Sequence, residues 1–123
     1  MNVVDSSAWL EYFAQGSNSH HFITPIQDRA ALLVPTIVIY EVFKRIYRQT
    51  DEGSALRAVV TMRQGQLVDV DTEIALRAAK RSADLKLPMA DALIYSITEI
   101  YEGTLWTQDN HFATLPHVRY FAK

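Results

Sequence analysis

Four carboxylates in this chain stand in almost wholly apolar company. Asp5 ends "NVVD", Glu41 interrupts "IVIYEVF", Asp91 interrupts "LPMADALI" and Asp109 ends "LWTQD". A charge in such surroundings is costly unless it is paired or binds a metal. Other acids sit where a solvated charge belongs: Asp51 and Glu52 in a turn, Glu73 and Asp84 on an amphipathic helix. If the four converge, they repel one another. Two charges about 4 Å apart cost roughly 4 kcal/mol at an effective dielectric of about 20. Either they share protons or a hard divalent cation neutralises them. Oxygen ligands without cysteine or clustered histidine suit Mg2+ or Mn2+. Such an ion serves phosphoryl chemistry, by acidifying a bound water and neutralising the scissile phosphate.

Taken singly, each acid has a plainer use. Asp5 could equally cap the next helix. Glu41 could pair with Lys44 or Arg45, one turn on. Asp91 could serve its helix end, where the macrodipole favours an anion. Asp109 could be a turn residue in "QDNH". Their shared context is what argues for one site.

That argument needs elements able to bring the four together. "NVV" reads as a strand. "SAWLEYFAQGS" reads as a helix with Ser6 or Ser7 as N-cap and Gly16 near its end. "HHFITPIQDR" is helical, with Pro25 starting or kinking a segment. "ALLVP" is a strand, and the spacing of Ile39, Val42, Phe43 and Ile46 predicts a helix over "TIVIYEVFKRIYRQ", capped by Thr36. "SALRAVVTMRQG" is a helix and "QLVDV" a strand. "DTEIALRAAKRSADLKL" is an amphipathic helix, "MADALIYSITEIYEG" a more buried one, and "TLWTQD" and "VRYF" the last strands. Short apolar strands alternating with helices imply a parallel sheet covered on both faces. Ligands of such sheets bind beyond the carboxyl ends of the strands, at the switch point. Asp5 and Asp109 are each the first acid after a strand.

Composition bounds the rest. The 123 residues suit one domain over 1–123, and 49% hydrophobic residues suffice for a core. With no cysteine, disulfides, thiolate zinc sites and a cysteine nucleophile are excluded. The longest apolar stretch is too short to span a bilayer and the N-terminus lacks the basic start of a signal peptide, so the expectation is a soluble cytoplasmic protein. The net charge of −2 does not exclude a nucleic-acid partner. With four acids assigned to a metal site, 12 bases face about ten remaining acids.

The motifs "VVDSSAWLEYF", "VPTIVIYEVFKR", "LPMADALIYSI" and "LWTQDNHF" together resemble the four acid-bearing motifs of PIN-domain ribonucleases, in that family's order. The short length and first-strand start are similar to VapC-type toxins of toxin–antitoxin pairs. The resemblance covers nearly the whole chain. It implies a three-layer α/β/α fold with a central, mainly parallel sheet. It implies Mg2+- or Mn2+-dependent hydrolysis of RNA, usually at one structured site in a tRNA or rRNA. It implies a homodimer silenced by a cognate antitoxin. Carried over, the catalytic acids are Asp5, Glu41, Asp91 and Asp109, with Asp5, Asp91 and Asp109 holding metal. Ser6 and Thr107 match supporting hydroxyl positions. Some members carry a further Asp in the fourth motif; here the stretch is "DNHF", which leaves Asp109 alone and a second ion weakly held.

Several features are weighed beside these. Lys44, Arg45 and Arg48 follow Glu41 closely. They form either a solvated helix face or a phosphate-contacting surface for RNA, aided by Tyr47. His20 and His21 are adjacent in sequence and do not share a helix face, which argues against metal ligation. His111 is expected to be structural in its turn rather than a general acid. Trp9, Tyr12 and Phe13 are expected in the core. A receiver domain would need paired acids after the first strand, and an aspartyl phosphatase a second Asp where Ser7 stands. A catalytically silent PIN-like module, the main alternative, would be expected to have lost one or more of the four acids.

Overall fold

A computed structural model describes residues 1–123. The chain runs β1 (Asn2–Val4), α1 (Ser6–Ala14), α2 (Ser19–Gln27), β2 (Leu32–Pro35), α3 (Thr36–Gln49), α4 (Glu52–Met62), β3 (Gln66–Val68), α5 (Thr72–Leu85), α6 (Met89–Ile100), β4 (Thr104–Thr107) and β5 (Val118–Tyr120). Short 3₁₀ turns occupy Arg29–Ala31 and Asn110–Phe112. The sheet has the order β3-β2-β1-β4-β5 with every pair parallel. Central β1 sets Val3 against Leu33 on one side and Leu105 on the other. All three are fully buried, as expected for a parallel sheet covered on both faces. The edge strands β3 and β5 are only three residues long.

The order explains where a site can form. From β1 the chain steps outward through β2 to β3, then returns to the opposite side of β1 for β4 and β5. Right-handed crossovers put α1 to α4 on one face and α5 and α6 on the other, giving three α/β/α layers. The switch point lies between the carboxyl ends of β1 and β4. Asp5 and Asp109 follow those two strands.

The helix starts differ from the sequence expectation in two places. Neither Ser6 nor Ser7 caps α1; Asp5 does, accepting the Ala8 N–H at 3.0 Å. A carboxylate one residue earlier reaches the same free amide, which leaves both serine hydroxyls for other partners. Thr36 does not cap α3 either. That helix follows Pro35, and α6 follows Pro88, with no side-chain cap in either case. By contrast α4 and α5 begin on the exposed caps Asp51 and Asp71. Pro25 lies inside α2, near its end, rather than starting it. At the end of α1, the left-handed residue is Gln15 rather than Gly16. A Cβ at Gly16 would meet the Glu11 carboxylate, the far end of a flexible side chain that would have to move aside. Trp9 is fully buried, and Tyr12 and Phe13 pack against the core beside it. No helix is long and apolar enough to cross a membrane.

Candidate active site

Asp5 divides its two oxygens between fold and site. Oδ1 accepts the Ala8 N–H and the Ser7 hydroxyl, the latter at 2.8 Å. Oδ2 accepts the Thr107 hydroxyl at 2.7 Å. Thr107 Oγ1 in turn accepts the Asp109 N–H at 2.9 Å, which ties β1's acid to β4's. The cap and the site are therefore two uses of one side chain. Asp5 is 3% exposed, and burial raises its pKa to about 7. Its hydrogen bonds oppose that rise, and the charge of Asp109 adds to it.

Glu41 lies in the second turn of α3 and accepts the Ser6 hydroxyl at 2.5 Å. It pairs with neither Lys44 nor Arg45, which corrects that alternative. The reason is direction: Glu41 leans toward the sheet edge, while Lys44 turns outward over the Tyr40 ring, 5.7 Å from its centroid. Burial raises the Glu41 pKa, the Ser6 bond opposes this, and the charges of Asp91 and Asp109 add to the rise.

Asp91 is the third residue of α6. Its carboxylate does not close the helix end but reaches His111, Oδ2 lying 2.7 Å from Nδ1. Burial again raises its pKa; the imidazole offsets part of that and Asp109 adds to it. Asp109 combines a turn role with the site. Its Oδ1 accepts the His111 N–H at 2.9 Å, opening the 3₁₀ turn, and lies 3.4 Å from His111 Nδ1. His111 itself has a raised pKa, first through its bond to Asp91 and then through the charge of Asp109.

The charge of Asp109 thus reaches Asp5, Glu41 and Asp91, and that of Asp91 reaches Glu41, around the carboxyl ends of β1 and β4. Neither Lys nor Arg makes an ion pair with any of them; His111 is their only cationic contact. Three carboxyls with raised pKa values and one half-exposed imidazole leave negative charge uncompensated. The donor set, mostly carboxylate oxygen, fits a divalent cation. Asp91, Asp109 and His111 each offer a ligand atom within 4.8 Å of the others.

Two of these residues differ from expectation or were missed by it. His111 is not only a turn residue: its side chain enters the acid cluster. The signal was the spacing "DNH" directly after a strand end. Ser7 was weighed as a helix cap and as the place where a phosphatase would need an acid, yet its hydroxyl holds Asp5. The basic run divides as well. Arg45, with Arg57 and Lys123, lines a cleft of about 710 Å3 that borders the site at Ser7 and Gln108. Lys44 and Arg48 are exposed and do not line it. His20 and His21 lie away from the acids; His21 stacks on Phe121, ring centroids 4.1 Å apart.

Known proteins agree with this architecture. The sequence model of the PIN domain matches residues 3–118. No curated protein matches the chain by sequence. Among solved structures, a toxin–antitoxin complex from Klebsiella pneumoniae is similar with a TM-score of 0.85 at 17% identity, covering 100% of both chains. The sarcin–ricin loop cleaving toxin VapC20 of Mycobacterium tuberculosis is similar with a TM-score of 0.78 at 14% identity, over 96% of this chain and 97% of that one. DNA-bound VapBC from Salmonella typhimurium gives 0.76 at 13% identity, over 98% and 96%.

Proposed function

The chain belongs to the PIN domain family, and we propose that it is a metal-dependent endoribonuclease, the toxin of a type II toxin–antitoxin pair. One observation carries the reading. Four carboxylates meet at the switch point with only an imidazole to answer their charge. A fold that merely needed caps there would not crowd acids whose proton affinities burial has raised. The similar structures add to this, since they include a toxin described as cleaving the sarcin–ricin loop and toxin–antitoxin complexes.

In this reading Asp5, Asp91 and Asp109 hold Mg2+ or Mn2+. When bound, the ion supplies charge neutralisation at the scissile phosphate and acidifies a water. Thr107 and Ser7 orient Asp5, so that its oxygens keep their direction when the charge around them changes. Ser6 orients Glu41. Glu41, whose pKa burial raises, accepts a proton from the attacking water. Water oxygen joins phosphorus, the bond to the 3′ oxygen breaks, that oxygen takes a proton from solvent as Glu41 later returns its own, and the products carry a 5′-phosphate and a 3′-hydroxyl. Arg45 contacts the RNA backbone from the neighbouring cleft, with Lys44 and Arg48 on the outer face of α3. The substrate is a structured site in tRNA or rRNA. The protein works in the cytoplasm as a homodimer and is silenced by an antitoxin protein.

Incubation with total RNA in Mg2+ or Mn2+, followed by sequencing of cut ends, tests the proposal. Discrete cuts bearing 5′-phosphates, abolished by EDTA, are expected. Cleavage undiminished in excess EDTA, or ending in cyclic phosphate, rejects the mechanism. Metal binding without cleavage of any RNA would favour a catalytically silent module.

A further inference from the structure

His111 is the one member of the cluster that is not a carboxylate. Its Nδ1 lies 2.7 Å from Asp91 Oδ2 and 3.4 Å from Asp109 Oδ1. Two donors sharing one ion at bond lengths of about 2.1 Å stand about 3 Å apart when adjacent in its shell. The two spacings bracket that value. The backbone fixes the arrangement further, because the His111 N–H donates to Asp109 Oδ1. One acid thus sets the position of the ring beside it. The ring is 52% exposed, so it can turn toward a shared ion without unpacking the core. Its only ion-pair partners are these two acids.

We propose that His111 supplies a nitrogen ligand to the cation held by Asp91 and Asp109, and that the site therefore takes a first-row transition-metal dication in preference to magnesium. The inference rests on the metal-dependent reading above and adds a ligand and a selectivity to it. Magnesium takes oxygen ligands and gives up water reluctantly, whereas imidazole binds transition dications well. The competing role for His111 is a hydrogen-bonding imidazolium that stands in for the cation when none is bound. That role keeps the nitrogen outside the coordination shell and gives no preference between ions.

Pulsed electron paramagnetic resonance on the Mn2+-loaded protein, in mildly alkaline buffer where imidazole is neutral, reads the nitrogen directly. Wild type should show 14N coupling and His111→Ala should not. By calorimetric titration, wild type should bind Mn2+ at least about tenfold tighter than Mg2+. His111→Ala should weaken Mn2+ binding by about tenfold or more and Mg2+ binding less. His111→Asp, which returns an oxygen ligand, should narrow the gap between the two ions. Bound Mn2+ without 14N coupling in wild type overturns the proposal, and needs no variant to fold. Coupling that survives in His111→Ala, or an equal loss for both ions, overturns it too. Those results leave the nuclease reading standing. Failure of wild type to bind either ion removes that reading, and this inference with it.

Discussion

Helix α6 carries an acid near each end, and the two are treated oppositely. Glu99, near the C-terminal end, receives two hydrogen bonds from Arg81 of α5, at 2.8 and 2.7 Å. This fork-to-fork pair joins the two helices, and the acid has a full cation to itself. Asp91, in the first turn, receives one contact from a half-exposed imidazole that it shares with Asp109. Burial wins over that contact, so the Asp91 pKa stays raised. Where a carboxylate serves packing, this fold supplies its counter-charge. At the sheet edge it leaves the charge short, with one shared imidazole for Asp91 and Asp109.

The sharpest way to break the contrast is to neutralise the unanswered acid. Asp91→Asn should lower RNA cleavage by at least about a hundredfold. In EDTA the same variant should melt higher than wild type, by about 4 °C for about 1 kcal/mol of relieved repulsion. A variant that melts lower than wild type in EDTA and shifts equally on adding Mn2+ would make Asp91 as structural as Glu99. Next in size is the pH response. The Asp5 pKa rises from 3.8 in the unfolded chain to about 7 in the fold. The folded state therefore holds the extra proton between those values. The contribution of Asp5 to metal-free stability is fully present below about 4, falls as pH climbs toward 7, and then levels. Asp5→Asn should flatten that slope, and metal should offset it in wild type. Thermal melts from acid to neutral pH in EDTA check this; stability that rises over the interval would show that Asp5 keeps its charge.

The answered end gives the smaller effects. Arg81→Ala should cost about 1–2 kcal/mol, limited by the arginine's 36% side-chain exposure. It should leave metal affinity unchanged by calorimetry, and a change there would link the two ends of α6. Smallest is the effect on RNA binding. Arg45→Ala should reduce the salt slope of binding by about one, since its guanidinium lines the cleft beside the site. Arg48→Ala, away from that cleft, should change it less, and equal slopes would return the whole run to a solvated face.

The sequence carried the elements well and the pairings poorly. Strand runs such as "LLVP" and the Ile39–Ile46 spacing announced β2 and α3, because burial leaves a period in the chain. Acids in apolar runs stood out for the same reason: hydrophobic context is local. Partners are not. Arg81 and Glu99 are 18 residues apart, and His111 and Asp91 are 20 apart. No periodicity links such positions; only the folded sheet does. At α1 the sequence offered Asp5, Ser6 and Ser7 as caps without choosing among them, because Asp and Ser offer an equivalent oxygen to the same amide, and at α3 the expected Thr36 cap is absent, the helix following Pro35 with no side-chain cap. Nothing in the pattern showed that a single Asp would both cap a helix and face the site.

The bond from Thr107 to Asp5 spans 102 positions of the chain. Helical hairpins such as α3–α4 close over short loops and can form early. The central strand β1 emerges from a ribosome well before β4 and meets it only after α5 and α6 have followed. Until then Asp5 has neither Thr107 to orient it nor Asp109 beside it. A nascent chain halted before β4 therefore lacks both the bond that orients Asp5 and the acid beside it, and the four acids come together in one step when β4 joins the sheet.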